Sequence, residues 1–211
     1  MPSYSAMKII ETKPPEIRKG CDMSTLNLHP EDCKLIINFF YCDEEQLEET
    51  LTYLEGIYGP VDLRMEPIDF NHTNYYAEEM GKTLKKMMVS FRDLVGRESL
   101  VVAKHEAVKL EHMMSIRYAQ SNNRVINIDP GHLLPEKFVL STGKNFPHRI
   151  YLDKGVYADL TLIYRHNRFE SLPWTYSDYL EVPAIRFLAD ARLILVEQLR
   201  EIRAEREALK E

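Results

Sequence analysis

The chain has little of what marks several common functional classes. No Lys/Arg run exceeds two residues, as at Lys85-Lys86, and the formal net charge is −6 with a pI near 5.7. Proteins that grip nucleic-acid backbones usually present a basic face, so nucleic acid is not an expected partner. The longest apolar run, Leu35 to Tyr41 interrupted by Asn38, falls far short of the roughly 20 residues that cross a bilayer. No membrane partner is expected. The amino terminus lacks the charged-then-apolar pattern of a secretory signal. Cysteine is scarce: Cys21, Cys33 and Cys42 are odd in number and show no CxxC spacing. That excludes a thiolate zinc cluster of the usual spacing and points to a reduced, cytoplasmic setting. What remains is 211 residues with 45% hydrophobic content, enough to bury the core of one domain.

Residues 1–30, rich in Pro, Lys, Glu and Ser, read as a flexible extension. Lys34 to Tyr41 reads as a buried strand. Asp43 with Gln46 opens a helix whose stripe is Leu47, Leu51, Leu54 and Tyr58, and Gly59-Pro60 stops it. Val61, Leu63 and Met65 alternate with charged residues as a half-exposed strand. A loop-like segment follows at 69–76, then a strand over 84–92 and a helix over 98–118. On that helix Lys104 and Glu111 read as a solvated edge, unless the helix packs over the site and sends either inward, and His105 and His112 read as boundary positions. A strand over 125–129 is expected to end at Pro130-Gly131, with a short helix over 135–141 after it. A meander spans 148–172, turning at Asp153-Lys154-Gly155 and at His166-Asn167. One long helix closes the chain from Pro183, and Leu188, Leu195, Ile202 and Leu209 repeat along it by sevens. The order β-α-β-β-α-β predicts an α+β fold: a ferredoxin-like split βαβ core, an added antiparallel hairpin and a long C-terminal helix. Residues 31–200 form the domain in this reading, and 201–211 the charged end of the helix.

Several blocks, in order, resemble one family. They are Asp69-Phe70, Thr73-Asn74-Tyr75-Tyr76 and Glu79-Met80-Gly81; Ile126 to Gly131; His148 to Leu152; Gly155 to Leu162; and Trp174-Thr175-Tyr176 with Asp178-Tyr179. Together they look like the signature blocks of the DUF4416 family, and the resemblance covers about residues 33–200. The chain departs from that pattern at Gly143, Asn145 and Ser177. The family carries no assigned activity, so the resemblance implies a fold unit and no mechanism. Some members bear a GTP-binding label, which these residues do not support. Gly81-Lys82-Thr83 ends like a phosphate-binding loop, but Tyr76 stands where the motif needs glycine.

The strands at 125–129 and 156–162 each alternate an apolar face with a face bearing a carboxylate, Asp129 on one and Asp159 on the other. The sharper reading joins Asn127, Asp129, Asp159, Thr161 and His148, with Tyr76 and Glu79, into one polar cluster. Asp129 and Asp159 would hold a divalent metal or orient His148 as acid and base. Lys144 or Arg149 would meet an anionic substrate group, and Tyr76, Trp174 and Tyr176 would wall the pocket. The bland reading makes Asp129 a turn cap and pairs Asp159 with Arg149 or Arg165 across the hairpin. His72 and His132 read as turn residues. The expected function is a metal-assisted enzyme acting on a small phosphorylated molecule or nucleotide. The alternative is a non-catalytic ligand-binding or scaffold protein that forms homo-oligomers through its terminal helix.

Overall fold

The computed structural model describes residues 30–70, 84–119 and 123–209. Among them, one nine-stranded antiparallel sheet and three α-helices make an α+β fold. In chain order the elements are β1 (Cys33–Tyr41), α1 (Glu44–Tyr58), β2 (Val61–Arg64), β3 (Ile68–Asp69), β4 (Lys85–Val95), α2 (Leu100–Tyr118), β5 (Ile126–Leu134), β6 (Lys137–Thr142), β7 (Arg149–Asp153), β8 (Val156–Arg165), β9 (Arg168–Ser171) and α3 (Val182–Ala208). The sheet order is β2-β4-β1-β5-β6-β8-β7, with β3 on β4 and β9 on β8.

Local chemistry accounts for most boundaries. The Asp43 carboxylate accepts the N–H groups of Glu45 and Gln46, which satisfies two donors that the first turn of α1 leaves unpaired. Gly59 ends that helix at φ 81, a conformation that side-chain-bearing residues resist. The β7–β8 and β8–β9 hairpins turn on Lys154-Gly155 and His166-Asn167, each pair at positive φ. Every residue of β1 is buried, because helices cover the sheet on both sides. On one side α1 sets Tyr58 against Phe91 at 5.6 Å between ring centres. On the same side Ser99, just before α2, meets His132 at 3.0 Å. The opposite side carries Phe40, Lys86 and Asn127, which are cross-strand partners in register. There α3 buries Ala184, Leu188, Ala191, Leu195 and Leu199. Its outer end does not dock: Leu209 is 87% exposed.

Two expectations fail next to the site. Pro130-Gly131 does not end β5, which continues to Leu134, and residues 137–142 form a strand instead of a helix. Proline is tolerated because β6 pairs with β5 only from Gly131 onward, so no neighbouring strand on that side needs a donor at residue 130. Pro135 and Glu136 are the whole turn of a tight hairpin. His132 is a buried strand residue, not a turn residue, and burial pushes its imidazole down to about 4. A third correction concerns β8. The pairing with β6 slips between Phe138 and Val139, so Leu162 faces Phe138 while Asp159 faces Leu140. This bulge puts Leu162 and Asp159 on one face, where strict alternation would separate them.

Gly131 is where the strands close. A Cβ there would lie 2.8 Å from the Phe138 ring and 2.9 Å from the Val139 carbonyl oxygen. Gly131→Ala should cost about 1–3 kcal/mol, read as a lowered urea midpoint. An unchanged midpoint would mean that β5 and β6 are not paired there.

Candidate functional site

The pairing of β5 with β6 runs only over Gly131–Leu134 and Lys137–Leu140. Toward Ile126 on one strand and Thr142 on the other, the two diverge. Strand edges left in a protein interior need other partners for their N–H and C=O groups. Helix α2 supplies them. Glu111 accepts the Ile128 N–H at 2.7 Å, and the Lys104 ammonium donates to the Ile128 carbonyl at 3.2 Å. Between the parted strands lies a cavity of about 720 Å³.

One wall comes from α2 and β5. Lys104 donates to Asp129 Oδ1 at 3.0 Å, Asn127 donates to Asp129 Oδ2 at 2.6 Å, and Arg124 donates to Asn127 Oδ1 at 2.9 Å. Glu111 Oε2 lies 3.9 Å from the Arg124 guanidinium. The other wall comes from Ser141–Lys144, β7 and β8. Arg149 and Asp159 are direct cross-strand partners, and Arg149 Nε donates to Asp159 Oδ2 at 2.8 Å. The remaining guanidinium nitrogens donate to the Lys144 carbonyl and the Tyr176 hydroxyl, each at 2.9 Å. Behind Asp159, His148 Nε2 lies 3.3 Å from the same oxygen, and the imidazole stacks on Trp174 at 4.7 Å. The third side is apolar and aromatic, with Phe40 and Phe70 at 4.4 Å beside Tyr179. There Asp178 meets the fully buried Lys86 at 2.6 Å.

Burial sets the protonation of this site. The Glu111 carboxyl is pushed up by burial, pulled part of the way back by Lys104 and the Ile128 N–H, and comes to rest at about 7. Burial lowers the Lys104 ammonium, but Asp129 and Glu111 outweigh it and the net direction is upward. Burial likewise lowers Lys86, against the pull of Asp178. Burial lowers Arg149, but its hydrogen bond to the Asp159 carboxylate and the nearby Tyr176 outweigh it, so the guanidinium stays charged.

Of the residues expected from sequence, Asn127, Asp129, Lys144, Arg149, Asp159 and Tyr176 line this one cavity. His148 and Trp174 stand behind it, and the indole N–H donates to the Leu160 carbonyl. Thr161 is buried and serves the backbone: its hydroxyl donates to the Asp159 carbonyl, and its own carbonyl accepts from Thr175. Tyr76, Glu79 and His72 lie outside the described residues. The carboxylates meet separate cations, Lys104 and Arg149. Among the described residues, no group of three or more His, Cys, Asp or Glu side chains is arranged for a metal ion. The turn-cap reading of Asp129 is replaced by an ion pair within a continuing strand. The Arg149–Asp159 pair is one that cross-strand geometry anticipates.

Lys104 and Glu111 are the residues that sequence reading misplaced. Leu100, Lys104, Ala107, Glu111 and Met114 recur at helical spacing, so two charges sit on the buried stripe of α2 while Val102 and Ile116 face solvent. A charge on an apolar stripe is the signal that would have found them.

The chain belongs to the family described as Domain of unknown function (DUF4416), whose model matches residues 31–194. No curated protein and no solved structure matches it. No helix among the described residues is long and apolar enough to cross a membrane.

Glu111 predicts a pH signature in stability. Its folded-state value of about 7 exceeds its ordinary 4.5, so the native state holds the proton more tightly than the unfolded chain. The stability from that group is complete below pH 4.5 and is lost as pH rises through 7. Glu111→Gln keeps an acceptor for the Ile128 N–H and never ionises. It should therefore be more stable than wild type at pH 8, by at most about 3 kcal/mol, and nearly equal at about pH 4. Urea unfolding at both pH values checks this, and a difference independent of pH would contradict it.

Proposed function

We propose that the cavity binds a small anionic molecule, with a phosphate or similar group held between the Arg149–Lys144 wall and the Lys104–Arg124 wall. The observation that carries this reading is the grouping of Lys104–Asp129, Arg149–Asp159 and Asp178 with Lys86 around a single cavity. Withdrawing such charges from water is costly, and apolar replacements of similar volume often hold a fold equally well. Their concentration on the walls of one recess supports a role in recognition. Arg149 suits an oxyanion because its planar fork is already fixed in place by Asp159, Tyr176 and the Lys144 carbonyl. A metal-assisted reading of Asp129 and Asp159 would require an ion to displace both Lys104 and Arg149. His148 reaches Asp159 and not the cavity, which supports a positioning role for it in place of the acid–base role expected from sequence.

The fold agrees with this placement. The order β2-β4-β1-β5 with antiparallel neighbours, and α1 and α2 on one side, supports reading the first half as a ferredoxin-like split βαβ unit. The β6–β9 extension would then be the addition that creates the recess.

The test is thermal unfolding with inorganic phosphate, ribose 5-phosphate and nucleoside monophosphates as probes. A probe at a hundred times its Kd adds about 2.7 kcal/mol, a rise of roughly 5–10 °C for a chain of this size. Arg149→Met should abolish the rise, and the surface variant Lys137→Met should keep it. No rise with any probe, or a rise that survives Arg149→Met, would overturn the assignment.

A further inference from the structure

We propose that entry of an anionic ligand beside Lys104 and Arg124 is coupled to uptake of one proton by Glu111, which makes Glu111 the proton-exchanging group of this cavity. The inference rests on the anion-binding reading above and adds to it a residue, a stoichiometry and a direction.

Glu111 is 7% exposed, and one of its oxygens is fixed by the Ile128 N–H. That bond holds the carboxyl plane in place against the parted strand. The second oxygen, Oε2, is directed to the Arg124 side, 3.9 Å from the guanidinium. The charged groups acting on it are Lys104 on its own helix, Arg124 before β5 and Asp129 on β5. Lys144, Arg149, Asp159 and Asp178 complete the lining of the same cavity. Among these described residues, the α2–β5 wall holds two cations and two carboxylates while Glu111 is ionised. That wall is neutral and offers an incoming anion no net attraction. Once Glu111 is protonated, the wall carries one net positive charge, in a setting where poor solvation strengthens every charge interaction.

The ligand and the proton therefore favour each other's binding, as linkage requires. The balance needs no co-reactant: a solvent proton adds to the Glu111 carboxylate, and no other bond changes. The carboxyl sits at about 7, so this exchange occurs close to neutrality. A carboxyl poised in this way beside a bound anion is the arrangement that general acid catalysis employs. The chemical class implied is a ligand carrying an anionic group next to an atom that accepts a proton.

The probe is sulfate, which does not titrate near neutrality. Calorimetric binding of sulfate to the full chain is measured from pH 6 to pH 8, in buffers that differ in ionisation enthalpy. Wild-type affinity should fall about tenfold across that range, with about one proton taken up per sulfate at pH 8. Glu111→Gln should bind with the low-pH affinity throughout and take up none. His148→Gln should keep the wild-type slope. Should Glu111→Gln not fold, carbon-13 NMR of the wild-type Glu111 carboxyl supplies the same answer. Its titration midpoint rises with sulfate if the coupling exists and stays fixed if it does not. Sulfate binding that Arg149→Met removes, with a pH slope insensitive to Glu111 or lost in His148→Gln, overturns this inference and leaves the anion site standing. No sulfate binding at any pH defeats both.

Discussion

The parting of β5 from β6 is the constraint on which the rest of the molecule depends. Four residues of β5, Gly131–Leu134, are in backbone register with β6, and the segment from Ile126 to Pro130 is not, its tie to β6 being the Ser141 hydroxyl that donates to the Pro130 carbonyl. A strand edge inside a folded domain cannot be left without partners, because each bare N–H or C=O costs about 1–3 kcal/mol. Two α2 side chains take the place of the missing strand at Ile128, one accepting and one donating. To do so, a glutamate and a lysine must sit on the buried stripe of a helix. The recess is the direct result: a gap in a continuous sheet, edged by charges that are there because the backbone needs them.

That origin explains why the charges occur in pairs. An isolated ion at any of these positions would be destabilising or would lose its charge, so each has an opposite partner within hydrogen-bond reach. Lys104 has Asp129, Arg149 has Asp159, and Lys86 has Asp178. Compensation is incomplete for the Glu111 carboxyl, since Lys104 and a backbone N–H only partly offset its burial, as it is for Lys86 beside Asp178. Glu111 lines the cavity beside Lys104 and Arg124, and for that reason we propose it as the group that responds to a ligand.

Much of the architecture was legible because the signals were local. Asp43 as a cap, Gly59 as a stop, the two positive-φ hairpin turns and the long terminal helix all act within a few residues. The site was legible only in part. Alternation and chemistry single out Asp129, Asn127, Asp159, Arg149, Lys144 and Tyr176, and these six line one cavity. Their partners are not singled out, because a partner is fixed by tertiary pairing. Pro130-Gly131 looked like an ending, and only the register with β6 shows why a strand passes through it. The β8 bulge reverses the facing of Leu162 relative to Asp159, and no period-2 pattern contains it. Glu111 and Lys104 were visible as residues and misread as surface, because the unpaired edge they serve belongs to a strand yet to come in the sequence.

We propose that the Arg149–Asp159 pair serves recognition and is not what holds the fold together. The most direct test of this claim is the unfolding free energy of Arg149→Met/Asp159→Leu, an apolar pair of similar volume at directly opposed strand positions. The account predicts a stability equal to wild type or higher, by up to about 4 kcal/mol. A loss of more than about 3 kcal/mol would contradict it and make the pair a structural necessity.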